Sequence, residues 1–174
     1  MGQTSKREGN KMSVQPRQAI RPHMPGYGIE EEPAGLLTWE WAVERLAKSH
    51  NYWLSTTRPD GRPHAMPIWG VWLDDGFYFS SGKQSRKSRN LAANRECVIS
   101  TESAAEAVIM EGKAEIVADR TTLQPFYRAY KAKYDWDMEQ EPLVNEPVYR
   151  VSPRVVFGFT EEELTSDATR WTFD

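Results

Sequence analysis

Ser80, Ser81 and Ser85 lie just ahead of three cations, Arg86, Lys87 and Arg89, in the run FYFSSGKQSRKSRNLAANRECVIS that spans residues 77–100. The pattern predicts a strand ending in hydroxyls, then a short helix with Ser85 as N-cap and Asn94 as its stop. A helix N-terminus offers unpaired N–H groups and a partial positive charge, so cations in the first turn work against the helix dipole. A bound phosphate would resolve that conflict, because it meets the N–H groups, the hydroxyls and the cations together. Breaking a local preference in this way is expected at a site. A plain exposed basic helix with its side chains in water fits the same charges, and charge pattern alone leaves both readings open.

Other chemistries find little support. The chain has three histidines (His23, His50 and His64) and one cysteine, Cys97, with no His-x-x-x-His and no paired cysteines, so no zinc site is expected. There is no Gly-x-Ser-x-Gly elbow and no Walker loop. The GYG at residues 26–28 follows no strand, and Asp74–Asp75 reads as a turn. Cys97, inside ECVIS, reads as a small buried hydrophobe. A lone cysteine forms no internal disulfide, which suits a reducing, cytoplasmic setting. The net charge of -3 argues against nucleic acid as a partner. No apolar run approaches the ~18 residues of a membrane span, and the first residues carry no apolar core of a signal peptide. The start MGQTSK matches a loose myristoylation pattern, which we read as chance.

The elements that must position the basic helix can be read from period and punctuation. Residues 1–34 are rich in proline and charge and are expected to form a flexible N-terminal arm, with one domain over residues 35–174. TWEWAVERLAKS predicts a first helix capped by Thr38. YWLSTT, the turn RPDGRP and the apolar HAMPIWGVWL predict a hairpin whose second strand is buried on both faces. After the basic helix come two strands, the second with a bulge or close approach at Gly112. A longer helix follows, kinked at Pro125 or starting near it. Two strand pieces around Pro153 and the ending ATRWTFD complete the order. Strands dominate and connections are short. Closing such a sheet removes its edges, so a small antiparallel barrel with helices at its rim is expected.

The central block RPDGRPHAMPIWGVWLDDGFYFSSGKQSRKSRNLAANRECVIS resembles the flavin-binding split barrel of the pyridoxamine 5'-phosphate oxidase-like superfamily. NYWLSTTRPDGRPHAMPIWGVW, MEGKAEIVADR and the ending ATRWTF resemble more closely its actinobacterial branch of flavin- and deazaflavin-dependent oxidoreductases. The resemblance runs over residues 36–173. It implies a mainly β fold with some α, a six-stranded antiparallel split β-barrel with peripheral helices, homodimeric, with a cofactor at the interface. It implies that Arg86 and Lys87 hold the cofactor phosphate with Ser80 and Ser85. The strand His64, Met66, Pro67, Ile68 and Trp69 would line the ring system, largely through backbone groups. Arg170 and Trp171 would close the site, in one version from the other subunit. The cofactor would be coenzyme F420, favoured, or FMN, and the protein an oxidoreductase passing a hydride to or from a small organic substrate. A non-catalytic carrier of cofactor or haem would look alike in sequence. The loop before Ser85 is longer than in the vitamin-forming enzyme, and that enzyme's C-terminal substrate segment is missing, so the vitamin B6 reaction is not expected. No general acid or base stands out. The deazaflavin's acidic tail would want cations, and Arg58, Arg62 and Lys83 are available.

Overall fold

The computed structural model of the protein describes residues 13–73, 76–140 and 143–174. The first twelve residues, with the myristoylation-like start, and the Asp74–Asp75 turn lie outside them. The described residues form nine strands, all antiparallel, and four α-helices: β1 (Gln18–Ile20), α1 (Trp39–Lys48), β2 (Tyr52–Thr57), β3 (Pro63–Ile68), β4 (Val71–Leu73), β5 (Gly76–Ser80), α2 (Arg86–Ala93), β6 (Glu96–Thr101), β7 (Glu106–Ile116), α3 (Gln124–Tyr134), β8 (Val148–Thr160), α4 (Leu164–Asp167) and β9 (Thr169–Thr172).

Ladders run β3–β2–β6–β7–β8, and β8 then serves two neighbours. Its first half pairs β5 and its second half pairs β9. β4 pairs β5 and follows β3 after only Trp69 and Gly70, so the ladder curls back on itself through that covalent link. The expected count of six strands is therefore corrected to nine. β3 and β4 are two parts of one run broken at Gly70, and β9 and β1 add strands on the outside. The sheet is consistent with a split barrel. A Cβ on Gly70 would lie 2.4 Å from the Phe77 ring and 2.8 Å from the Tyr78 carbonyl, so the break needs a glycine.

The expected bulge on β7 is present: the β7–β8 register shifts between Glu111 and Gly112, and a Cβ on Gly112 would meet the Ser152 carbonyl at 2.4 Å. Pro153 sits opposite Gly112 within β8, which passes through it as one strand rather than two pieces. Thr38 caps α1 by accepting from the Trp41 N–H, and a 3₁₀ turn at Arg120–Leu123 leads into α3, with Pro125 in its first turn, where the missing N–H costs nothing.

The main core lies between the sheet and α1 and includes Leu46, Tyr52, Phe77, Ile99, Met110 and Trp171. A second cluster sits under α3 around Val71, Tyr78, Phe126 and Tyr130. Cys97 is buried, with burial pushing its thiol up to about 12. Residues 13–34 are not a free arm. β1 pairs β9, Trp39 donates its indole N–H to the Val14 carbonyl, and the Arg21 guanidinium ties the Glu32, Ala34 and Ala168 carbonyls together. Proline content suggested an arm because it hides these long-range backbone bonds. No described helix is long and apolar enough to cross a membrane.

Candidate functional site

Ser85 is the N-cap of α2, and its hydroxyl accepts from the Ser88 N–H at 3.2 Å. It also lies 2.9 Å from the Ser81 hydroxyl. Ser80, at the end of β5, is committed elsewhere: its hydroxyl donates to the Pro147 carbonyl at 3.1 Å. The two hydroxyls at the helix start are thus Ser81 and Ser85. Arg86 is exposed and Lys87 half-buried in the first turn, with no acid in that turn.

β2 and β3 bring a second group to the same corner. Their register pairs Thr56 with His64 and Leu54 with Met66, so alternation puts Thr56, Arg58, Arg62, His64 and Met66 on one face. Asn90 on α2 donates its amide N–H to the Thr56 hydroxyl at 2.9 Å, locking α2 to β2, and the Thr56 hydroxyl lies 3.5 Å from His64 Nδ1. The His64 imidazole is held below its ordinary pKa, first by desolvation, then by the charges of Arg58, Lys87 and Arg86. Three cations from two elements therefore bear on one imidazole. Among the described residues the buried Arg58 Nε and the buried Asn90 Oδ1 have no hydrogen-bond partner. Buried donors without acceptors are costly unless a ligand supplies one. The orphaned Arg58 N–H, at the turn that joins β2 to β3, is a donor that an anion would satisfy.

Among the described residues β3 pairs only with β2, which leaves its far edge open; Pro67 is tolerated there because an edge strand has no second ladder to complete. Of the run expected to be buried on both faces after Pro67, Ile68, Gly70 and Val71 are buried, Trp72 and Leu73 half-buried and Trp69 exposed, while the stretch before Ile68 is mostly exposed, for the same reason. Its residues divide. His64 and Met66 share the face that carries Thr56 and Arg58. The Pro67 side chain lies on the opposite face, across from Trp53. Ile68 is in the main core, leaving only its backbone for a ligand. Trp69 is 38% exposed and stacks on Tyr134, centroids 4.7 Å apart and planes 7° apart, with its indole N–H donated to Asn51.

Trp171 requires a correction. It is 1% exposed, packs edge-on against Trp39 at 5.7 Å and presses on Gly158, so its ring anchors the core and offers no face to a cofactor. Arg170 points to the other side of β9 and is half-buried. Neither joins the corner around His64 within one chain. Arg62 is held by two contacts to Asp60, at 3.0 and 2.8 Å, whereas the buried Arg58 Nε has no such partner. Thr56, Arg58 and Asn90 were not expected as cradle residues. The period-2 alternation through the RPDGRP turn was the signal for Thr56 and Arg58; Asn90 had none. Among the described residues no group of three or more His, Cys, Asp and Glu side chains could hold a metal ion.

The family model for pyridoxamine 5'-phosphate oxidase matches residues 39–164. None of the curated proteins matches the chain. Among solved structures, an F420 reductase superposes with a TM-score of 0.55 at 24% identity, over 72% of this chain and 98% of its own. An FAD-binding protein from Mesorhizobium loti gives 0.56 at 15% identity, over 78% and 96%. HutZ, the haem storage protein of Vibrio cholerae, gives 0.53 at 18%, over 66% and 86%. The family model spans most of the chain, the likenesses share its fold, and the chain belongs to the pyridoxamine 5'-phosphate oxidase family.

Proposed function

We propose that the protein is an oxidoreductase that binds a phosphate-bearing flavin-type cofactor, F420 in preference to FMN, and passes a hydride between it and a small organic substrate. The observation that carries this reading is the Ser85-capped start of α2, with Arg86 and Lys87 in its first turn, locked through Asn90 and Thr56 to the β2–β3 hairpin, whose Arg58 Nε is buried without a partner. When bound, such a cofactor supplies the hydride chemistry at its ring. The protein's residues bind, orient and shield. Lys87, Arg86 and Arg58 hold the phosphate, with the Ser81 and Ser85 hydroxyls and the α2 N–H groups completing the cradle. The free edge of β3 offers backbone N–H and C=O groups to the ring system, and Met66 an apolar surface. Desolvation and the neighbouring cations disfavour the imidazolium of His64 in the free protein, and an anion beside it would raise its proton affinity, so it is the group here that can take up a proton on binding.

A homodimer belongs to this reading. Trp53 is 47% exposed on the outer face of β2, beside Pro67 and Ala65 of β3, and such an apolar face on a sheet with an open edge is suited to a second copy. Arg170 would then act, if at all, from the partner subunit. The preference for F420 rests on the sequence resemblance and is supported by the likeness to an F420 reductase.

Steady-state oxidation of reduced F420 or reduced FMN with a panel of hydride acceptors tests the enzymatic reading. Turnover that depends on Lys87 is the expected result. Tight cofactor binding with no turnover against any acceptor would instead favour a carrier, a role like that of the haem storage protein of similar fold.

A further inference from the structure

The cations of α2 are not all spent on the cradle. Asn90 shares the face of Arg86 and reaches β2, while Ser88, Arg89 and Ala92 line a separate groove. This groove, of about 490 Å³, runs between α2, the end of β7, the Arg120–Leu123 turn and the start of β8. Its floor is apolar, with Ala92, Val117, Leu123 and Val148, and Ile116 stands beside it 60% exposed. Its rim carries Lys83, Arg89 and Arg120, and no carboxylate side chain is among its described lining residues. The nearby Glu146 carboxylate is occupied by the Lys83 backbone N–H at 2.6 Å, and Arg120 gives one N–H to the Glu146 carbonyl. A second hollow of about 330 Å³ shares Ala92, Ile116 and Tyr149 and extends the groove; its ion pair, Arg95 with Glu115, is self-compensated.

In a chain of net charge -3, the three cations around this apolar floor outnumber the Glu146 carboxylate beside them, so the local sign is reversed. A cationic ligand would be repelled. A small inorganic anion would leave the apolar floor in water, and a neutral apolar molecule would leave the cations unanswered. An apolar body with one anionic head satisfies both parts, and arginine suits a carboxylate through its planar fork of donors. Volumes of this size hold small organic molecules. We propose that this groove is a second binding site, separate from the β3 cradle, for an amphipathic monocarboxylate. Its apolar body lies on Ile116, Val117 and Ala92, and its carboxylate sits among Lys83, Arg89 and Arg120.

Calorimetric titration of the full chain with decanoate, decanol and inorganic phosphate tests this directly. Decanoate is expected to bind one molecule per chain, with decanol and phosphate each about tenfold weaker or more. Arg89→Gln with Arg120→Gln should weaken decanoate by about tenfold or more, and Ile116→Glu should do the same from an exposed position that leaves the core untouched. F420 titration of these variants serves as the control and should be unchanged, which keeps the groove's failure distinct from failure of the cofactor reading. Equal binding of decanoate and decanol, binding of phosphate as strongly as decanoate, insensitivity to all three substitutions, or displacement of decanoate by F420 would each overturn the proposal.

Discussion

At His64 one desolvated imidazole shares a corner with three cations, and a bound anion should reverse its titration. The free protein holds this ring below its ordinary pKa. In that state the unfolded chain binds the proton more tightly, so protonation of His64 works against folding as pH falls below the ordinary histidine range. A phosphate within the cradle changes the sign by favouring the imidazolium. Proton NMR of the His64 ring should show its pKa rise when cofactor binds, and cofactor affinity should increase as the pH is lowered through that window. An unmoved resonance would place the phosphate elsewhere. The capped start of α2 was legible because a serine cap and first-turn cations against the dipole are local signals. Trp171 was not, because TRWTF reads the same whether the indole faces a ligand or a core. The neighbours that decide it, Trp39 and Gly158, come from distant elements.

At the scale of elements, α3 is fastened to the break between β3 and β4. The Lys133 ammonium donates to the Tyr52 hydroxyl at 2.6 Å and to the Gly70 and Ala47 carbonyls, both at 3.2 Å. The Tyr134 hydroxyl accepts from the Gly70 N–H at 3.0 Å. Burial holds Lys133 down to about 8, partly offset by Glu102, while burial raises Tyr52, Tyr130 and Tyr134, the last two to about 12. Between pH 8 and the ordinary lysine pKa, the unfolded chain binds the Lys133 proton more tightly than the fold does, so stability from this group rises with pH across that window. Thermal melts should show that rise, and Lys133→Met should flatten it. Melts that fall steadily from pH 8 to 10 in the wild type would contradict the assignment. Gly70→Ala should cost about 1–3 kcal/mol in chemical denaturation, because its Cβ has no room beside Phe77 and the Tyr78 carbonyl. The helices were legible from caps and period. The exposure of β3 was not, since an apolar strand awaiting a ligand or a second copy carries the same letters as a buried one.

For the whole molecule, the curled sheet was legible as a fold class from strand order and short connections. The strand count was not, because one covalent run folds as two strands at Gly70 and because β1 forms only through backbone bonds to β9. The open edge of β3 and the exposed Trp53 should be covered by a second copy. Sedimentation should give a dimer, and Trp53→Glu should shift it toward monomer and weaken cofactor binding with it. A monomeric wild type that binds cofactor tightly would remove the dimer from the proposed function.

Arg58, Arg86 and Lys87 are proposed to form a phosphate cradle for a flavin-type cofactor. The decisive test is to titrate the purified chain with F420 and with FMN separately, following tryptophan quenching. Tight binding of F420, with FMN weaker, is the predicted result. Arg86→Ala and Lys87→Ala should each lower affinity by about tenfold to a hundredfold, as loss of a charged hydrogen bond to phosphate entails. Binding of neither cofactor, or affinity unchanged in both variants, would contradict it.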